Sequence, residues 1–276
     1  MSFPFTVVLN DRLVKAISST KQHPLGTRGH TVDGRVFRYA QNGGTALAAH
    51  YVCGTAAEGP ASTATDQFFY SAYVAGATYV KLSLSTVALP VLSANYFQDG
   101  YLLVNSTDLA YNQMVRVSGN EALVSSTALG QQTGIWLDVD GLDKTVDTAT
   151  CIAKLVANPY AKVVVNPIAA TTGGYVIGVT PVAVTASYYF WLQTWGPALV
   201  LNSEGNAITI DLLAGRPIGP STAVAGGACR PITASASGYI PMDTDSGKGW
   251  VQRIGTLMTC APADTFFCLV NLTIAP

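Results

Sequence analysis

Short apolar runs rich in Val, Ile, Tyr, Phe and Thr recur along the chain, each bounded by Gly, Pro, Asn or Asp. β-Branched and aromatic side chains suit a pleated surface and the bounding residues favour turns, so each run predicts a strand. The runs are Phe68–Val74, Tyr101–Asn105, Gln113–Val117, Gly134–Val139, Lys162–Val165, Tyr175–Val179, Ser187–Trp195, Ala207–Leu212, Val251–Met258 and Phe266–Ile274. In the last, Cys268, Val270, Leu272 and Ile274 share one face, and Phe267, Leu269, Asn271 and Thr273 share the other. That period of two predicts a strand packed on one face and partly covered on the other. Helical stripes are scarce. Residues 106–114 and 147–157 each predict at most a short helix; in the second, Ala149, Ala153, Lys154 and Leu155 have good propensity, and Asn158-Pro159 ends it. The expected fold class is all-β, a β-sandwich or β-barrel domain or domains, with helix below about 15 %.

The first 45 residues stand apart. They hold six of the 15 basic residues: Arg12, Lys15, Lys21, Arg28, Arg35 and Arg38. Asp33-Gly34 between Thr31-Val32 and Arg35-Val36-Phe37 has two-residue hairpin-turn chemistry. Residues 1–45 are therefore expected to form an extended N-terminal arm or hairpin; the alternative is that they are simply the first strands of the β domain. Gly54–Thr65, rich in Ala, Gly, Thr and Ser, reads as an exposed loop. A break at Asn166-Pro167, followed by Ile168–Gly174 as a linker, divides the rest into a β domain with a surface insert (46–166) and a C-terminal β domain (167–276). No clear internal repeat is visible.

Composition narrows the function. Only 11 % of the 276 residues are charged, against about 25 % in a typical soluble domain, so the surface suits a protein covered by partners. The net charge of −1 gives no electrostatic footprint for nucleic acid. No apolar run is long enough for a helical membrane span, and Met1–Thr6 lacks the opening of a signal peptide. Cys53, Cys151, Cys229, Cys260 and Cys268 form no CxxC pair and read as five small buried hydrophobes in a reducing compartment.

Motifs for chemistry are missing. His23, His30 and His50 have no metal-ligand spacing, and Asp138–Asp143 and Asp243–Gly247 do not fit a calcium loop. There is no nucleophile elbow and no phosphate-cradling glycine run. No catalytic residue, cofactor or metal is expected. The densest local feature is Ser187–Pro197, bulky on both faces, which predicts a central strand packed on both sides or a strand with one aromatic face at a subunit interface. A sugar-binding platform is a third option. The side chains best suited to partner or subunit contacts are Arg28, Arg35, Arg38, Tyr39, Tyr189, Trp191 and Trp195.

Several stretches, taken in order, carry a resemblance: Pro24–Thr27 with Asp33–Ala40, Gly100–Asn105 with Met114–Val117, Asn158-Pro159-Tyr160, Tyr189–Ala198, and Ile254-Gly255 with Phe267–Ile274. Together they resemble the capsid-decoration (cement) proteins of tailed bacteriophages, from about residue 24 to the end. Gly54–Ala94 has no counterpart there. The resemblance implies a non-enzymatic virion protein on the outer capsid surface, bound to the major capsid protein and most often a homotrimer, with no nucleic acid or membrane partner. A tail-spike or fibre component that binds a host glycan is the alternative, and a glycan-cleaving enzyme a more distant third.

Overall fold

The computed structural model describes residues 6–55, 67–83, 93–106, 108–122, 132–166, 175–202, 214–221, 224–229, 252–260 and 267–276. The expected strand Ala207–Leu212, the linker Ile168–Gly174, the cluster Asp243–Gly247 and most of the loop Gly54–Thr65 lie outside them. The fold is all-β, with 50 % strand and 3 % helix. The first strands are β1 (Thr6–Leu9), β2 (Arg28–Thr31), β3 (Val36–Gln41) and β4 (Val52–Gly54). Then come β5 (Gln67–Phe69), β6 (Tyr79–Ser83), β7 (Tyr101–Ser106), β8 (Gln113–Asn120), β9 (Gln132–Leu137) and β10 (Cys151–Val156). The last are β11 (Val164–Val165), β12 (Val176–Val179), β13 (Tyr189–Leu201), β14 (Pro217–Pro220), β15 (Ala228–Cys229), β16 (Gly255–Cys260) and β17 (Phe267–Thr273). One helical turn, α1 (Asp11–Val14), is capped by Asn10, whose Oδ1 accepts from the Leu13 amide at 2.9 Å.

Two compact units emerge, residues 1–57 with 159–276, and residues 58–158. The expected division at 45 and 166 is not the one observed. The middle of the chain forms a unit of its own, and the chain returns to complete the first unit.

The 58–158 unit is a closed, fully antiparallel barrel in the order β10-β5-β6-β9-β8-β7. Closure leaves no free sheet edge within the barrel. Alternation fills it: Val80 and Leu82, Leu102 and Val104, Val115 and Val117, Ile135 and Leu137, and Cys151, Ala153 and Leu155 all point into one core with Phe69 and Phe97. The short helix expected over 147–157 is instead strand β10. Its six residues pair in register with β7, from Cys151 opposite Ser106 to Val156 opposite Tyr101. The period of two in Cys151–Val156 and the need to close the barrel override the helix propensity of Ala and Lys. The expected helix over 106–114 reduces to one 3₁₀ turn, Leu109–Tyr111.

The other unit is built on an 11-stranded sheet with the main path β1-β2-β3-β13-β17-β16-β14-β15; β12 joins β13 to β4, and β4 pairs β11. Its spine is β13, 13 residues long. The first half pairs with β3 (Trp191 opposite Tyr39) and the second with β17 (Leu199 opposite Leu269). A bulge between Gln193 and Trp195 breaks the expected two-face alternation of the aromatic run. Gly196 (φ 82°) and Pro197 follow it, and the Gln193 amide secures the bend by donating to the carbonyls of Trp195 (3.2 Å) and Pro197 (2.8 Å).

The N-terminal segment is part of this sheet, so the extended arm is replaced by its alternative. β2 and β3 form the expected antiparallel hairpin, but its loop holds three residues, Val32-Asp33-Gly34. The Gly34 amide donates to Thr31 at 3.0 Å and Gly34 sits at φ 87°, a type I turn with a glycine bulge in place of a two-residue turn. β1 adds in parallel to β2, and Leu9, Val14, Leu25 and Phe37 pack with Tyr39 and Trp191 in one buried cluster.

A local device recurs in both units, although no repeat is visible in the sequence. Leu47 and Val184 exchange both backbone hydrogen bonds at 2.9 Å. Three residues further on, the amides of His50 (φ 65°) and Ser187 (φ 64°) donate to Thr180 and Gly43 at 2.6 and 2.8 Å, and β4 and β13 begin. In the barrel, Tyr73 and Val146 make the same exchange at 3.1 and 2.9 Å, and Gly76 (φ 85°) donates to Leu142 at 2.7 Å before β6 begins. The shared feature is backbone geometry, a positive φ three residues past the exchange in each case.

Candidate partner-binding surface

The expected contact residues all lie in the sheet unit, on β2, β3 and β13, with Arg35 at the base of the β2–β3 hairpin. Antiparallel pairing of β3 with β13 puts Tyr39, Tyr189 and Trp191 on one face. Tyr39 stacks on Tyr189 (centroids 5.9 Å, 7°) and meets Trp191 edge-on at 5.1 Å. His23 closes the group, 5.1 Å from Tyr39 and 5.4 Å from Trp191. Tyr39 and Trp191 are only 3 % and 5 % exposed, so they leave the contact set. Their surface is spent against Leu9, Phe37 and His23. The Tyr39 hydroxyl accepts from the Gln22 amide at 3.0 Å, and burial holds this phenol above its ordinary pKa. Burial likewise pushes His23 below the usual histidine value.

The arginines divide. Arg28 and Arg38 face each other across β2 and β3, and Arg38 donates to the carbonyls of Gly26 (3.3 Å) and Pro276 (2.8 Å). Arg35, at the hairpin base, is bound on both sides: its Nε meets Asp33 and an Nη meets Asp11, each at 2.7 Å, and it lies over the Phe37 ring. The Thr31 hydroxyl and Arg35 hold Asp33 below its ordinary pKa. Arg28, Arg35, Arg38, Tyr189 and Trp195 remain partly exposed.

Sequence reasoning missed a cleft beside this hairpin. It encloses about 380 Å³ and is lined by Asp11, Lys15, Arg35 and His50 together with apolar Pro197, Leu199 and Leu269. The left-handed turn at His50 aims its ring edge-on at Phe267, 5.1 Å away. Burial, reinforced by the Lys15 charge, lowers the His50 pKa. Leu269 and Phe267 belong to the face of β17 expected to be only partly covered, and the burial pattern there alternates as expected. That alternation was the available signal; the convergence of Lys15 and His50 on it was not visible.

In the barrel, Trp136 is 42 % exposed and lies 5.9 Å from the Tyr79 ring. The Tyr79 hydroxyl donates to Glu121 Oε1, and the Gly134 amide donates to Oε2, each at 3.0 Å. Asp138 and Gly141 form an ordinary turn, the Gly141 amide donating to the Asp138 carbonyl at 2.8 Å. Among the described residues no group of three or more His, Cys, Asp or Glu side chains could hold a metal. No described helix is long and apolar enough to cross a membrane. Cys53 and Cys151 are free and buried, and burial pushes the Cys53 thiol up. Cys268 is disulfide-bonded, which corrects the expectation of five separate thiols. Linear spacing does not reveal which sulfurs strand pairing brings together.

Compared with known proteins, the chain matches no family model, no curated sequence and no solved structure.

Proposed function

We propose that this protein is a structural virion component that decorates the outer surface of a tailed-phage capsid and bridges neighbouring capsomers. The carrying observation is a surface poor in charge and rich in large exposed apolar side chains. Val32 at the hairpin tip is 96 % exposed, Val139 83 % and Met114 61 %, in a chain with only 11 % charged residues. Such a surface suits a protein that spends its life covered. The ordered resemblance from residue 24 onward points to the same role. The work is mechanical: modest contacts to several capsomers add through avidity, most economically in a homotrimer. Quantitative mass spectrometry of purified particles tests this. Decoration requires copy numbers comparable to those of the major capsid protein, whereas a few copies per particle would mean a tail protein.

Trp136 supports the second reading, a spike or fibre component. A half-exposed indole beside a tyrosine and a carboxylate is chemistry that stacks on and hydrogen-bonds to a sugar ring. Quenching or shift of the Trp136 fluorescence by host surface glycan, lost in Trp136→Phe, would favour it.

A further inference from the structure

The cleft beside the β2–β3 hairpin has two properties that together specify an occupant. Its floor is apolar and continues onto open sheet: Leu199 and Leu269 are direct partners across β13 and β17, Leu199 is 46 % exposed, and Phe267 extends the strip under the His50 ring. Its rim carries an ammonium with no carboxylate partner among the described residues. Among the described residues Asp11 is the one carboxylate lining it, and Arg35 is already engaged by Asp11 and Asp33, while the Lys15 ammonium makes no ion pair or hydrogen bond. A volume of about 380 Å³ is too small for a folded element and large enough for a bulky apolar side chain with its neighbour.

We infer that this cleft receives a segment of the major capsid protein in which a bulky apolar side chain is flanked by an Asp or Glu. The inference rests on the decoration reading and assigns its contact. The apolar side chain covers Leu199, Leu269 and Pro197, removing from water the strip that the isolated protein leaves open. The carboxylate pairs with the Lys15 ammonium at the rim, where partial desolvation strengthens the pair and fixes the register of docking. Arg35, clamped by Asp11 and Asp33, holds the wall and need not move.

The test is co-sedimentation of the full chain with undecorated shells of the major capsid protein from the same particle, comparing wild type, Lys15→Glu, Lys15→Arg and Leu199→Asp. Lys15 and Leu199 are both exposed, so the variants should melt like wild type. Lys15→Glu and Leu199→Asp are each expected to weaken shell binding about tenfold or more, and Lys15→Arg to retain most of it. A zero-length carbodiimide cross-linker should join Lys15 to an acidic residue of the capsid protein. If wild type binds shells and both disruptive variants bind equally well, the cleft assignment is overturned while decoration stands. If wild type does not bind, the decoration reading falls and takes this inference with it. If Leu199→Asp disperses an oligomer without weakening shell binding, the strip is an interface between copies and the assignment is likewise overturned.

Discussion

Leu9→Ala is the substitution that most sharply tests whether the N-terminal segment belongs to the core. Leu9 is 3 % exposed and packs with Phe37, Tyr39 and Trp191. Its side chain also fills the space above Gly29, where a Cβ would sit 2.5 Å from Leu9 Cδ1 and 2.9 Å from Trp191 Cζ3. The walls of this site are rings braced against one another, so it collapses poorly after truncation. The cost therefore belongs in the middle of the usual Leu→Ala range, about 3–4 kcal/mol. In a unit of this size each kcal/mol moves the midpoint by about 2–4 °C, so a loss of about 6–16 °C is expected. Deleting residues 1–20 removes Leu9, Val14 and the paired bonds between Ser18 and Tyr189 (3.0 and 2.8 Å). That is about 5 kcal/mol or more, a large part of any domain's stability. Urea titration with an unchanged slope gives the first value, and calorimetry gives the second. If Leu9→Ala costs under about 1 kcal/mol and the truncated chain melts like the parent, the segment is an arm after all and the packing described here is wrong.

Three further outcomes are expected. His23 and His50 sit below their usual value of 6.5, so the unfolded chain binds protons more readily; stability should be fully present above about pH 6.5 and fall as pH drops through it. Urea midpoints at several pH values check this, and the slope should flatten in a double His→Gln variant. Gly100→Ala should destabilise the barrel by about 1–3 kcal/mol or more, because its Cβ would lie 2.3 Å from the Val156 carbonyl oxygen and 2.9 Å from that of Phe97, and backbone cannot step aside. Cys53 and Cys151 should resist alkylation in native buffer and label only on unfolding, as mass-spectrometric mapping would show.

Strand content was legible wherever β-branched and aromatic residues ran between turn-forming residues, as in β7, β8, β9, β12 and β17. It failed where local and global preferences disagreed. Cys151–Val156 contains good helix formers, yet its alternate residues close a barrel whose other strands lie far away in sequence. The discontinuous sheet unit was hidden for a similar reason: β4 pairs with β12 and β3 with β13, across the whole intervening barrel, and no local pattern records such pairings. The aromatic run was read correctly as strand, but core and interface use the same residues. Tyr39 and Trp191 were separable from a contact surface only once Leu9 and His23 were seen to cover them. The cleft needed Lys15, His50 and Leu199 from three separate segments, and the sequence offered only the half-covered face of β17 as a hint.

The most direct test is cryo-electron microscopy of intact particles that carry this chain. Decoration requires density for an all-β barrel and sheet on the outer face of the shell, repeated at every equivalent lattice position and spanning adjacent capsomers. Density confined to the tail, or absent from the shell exterior, would contradict it.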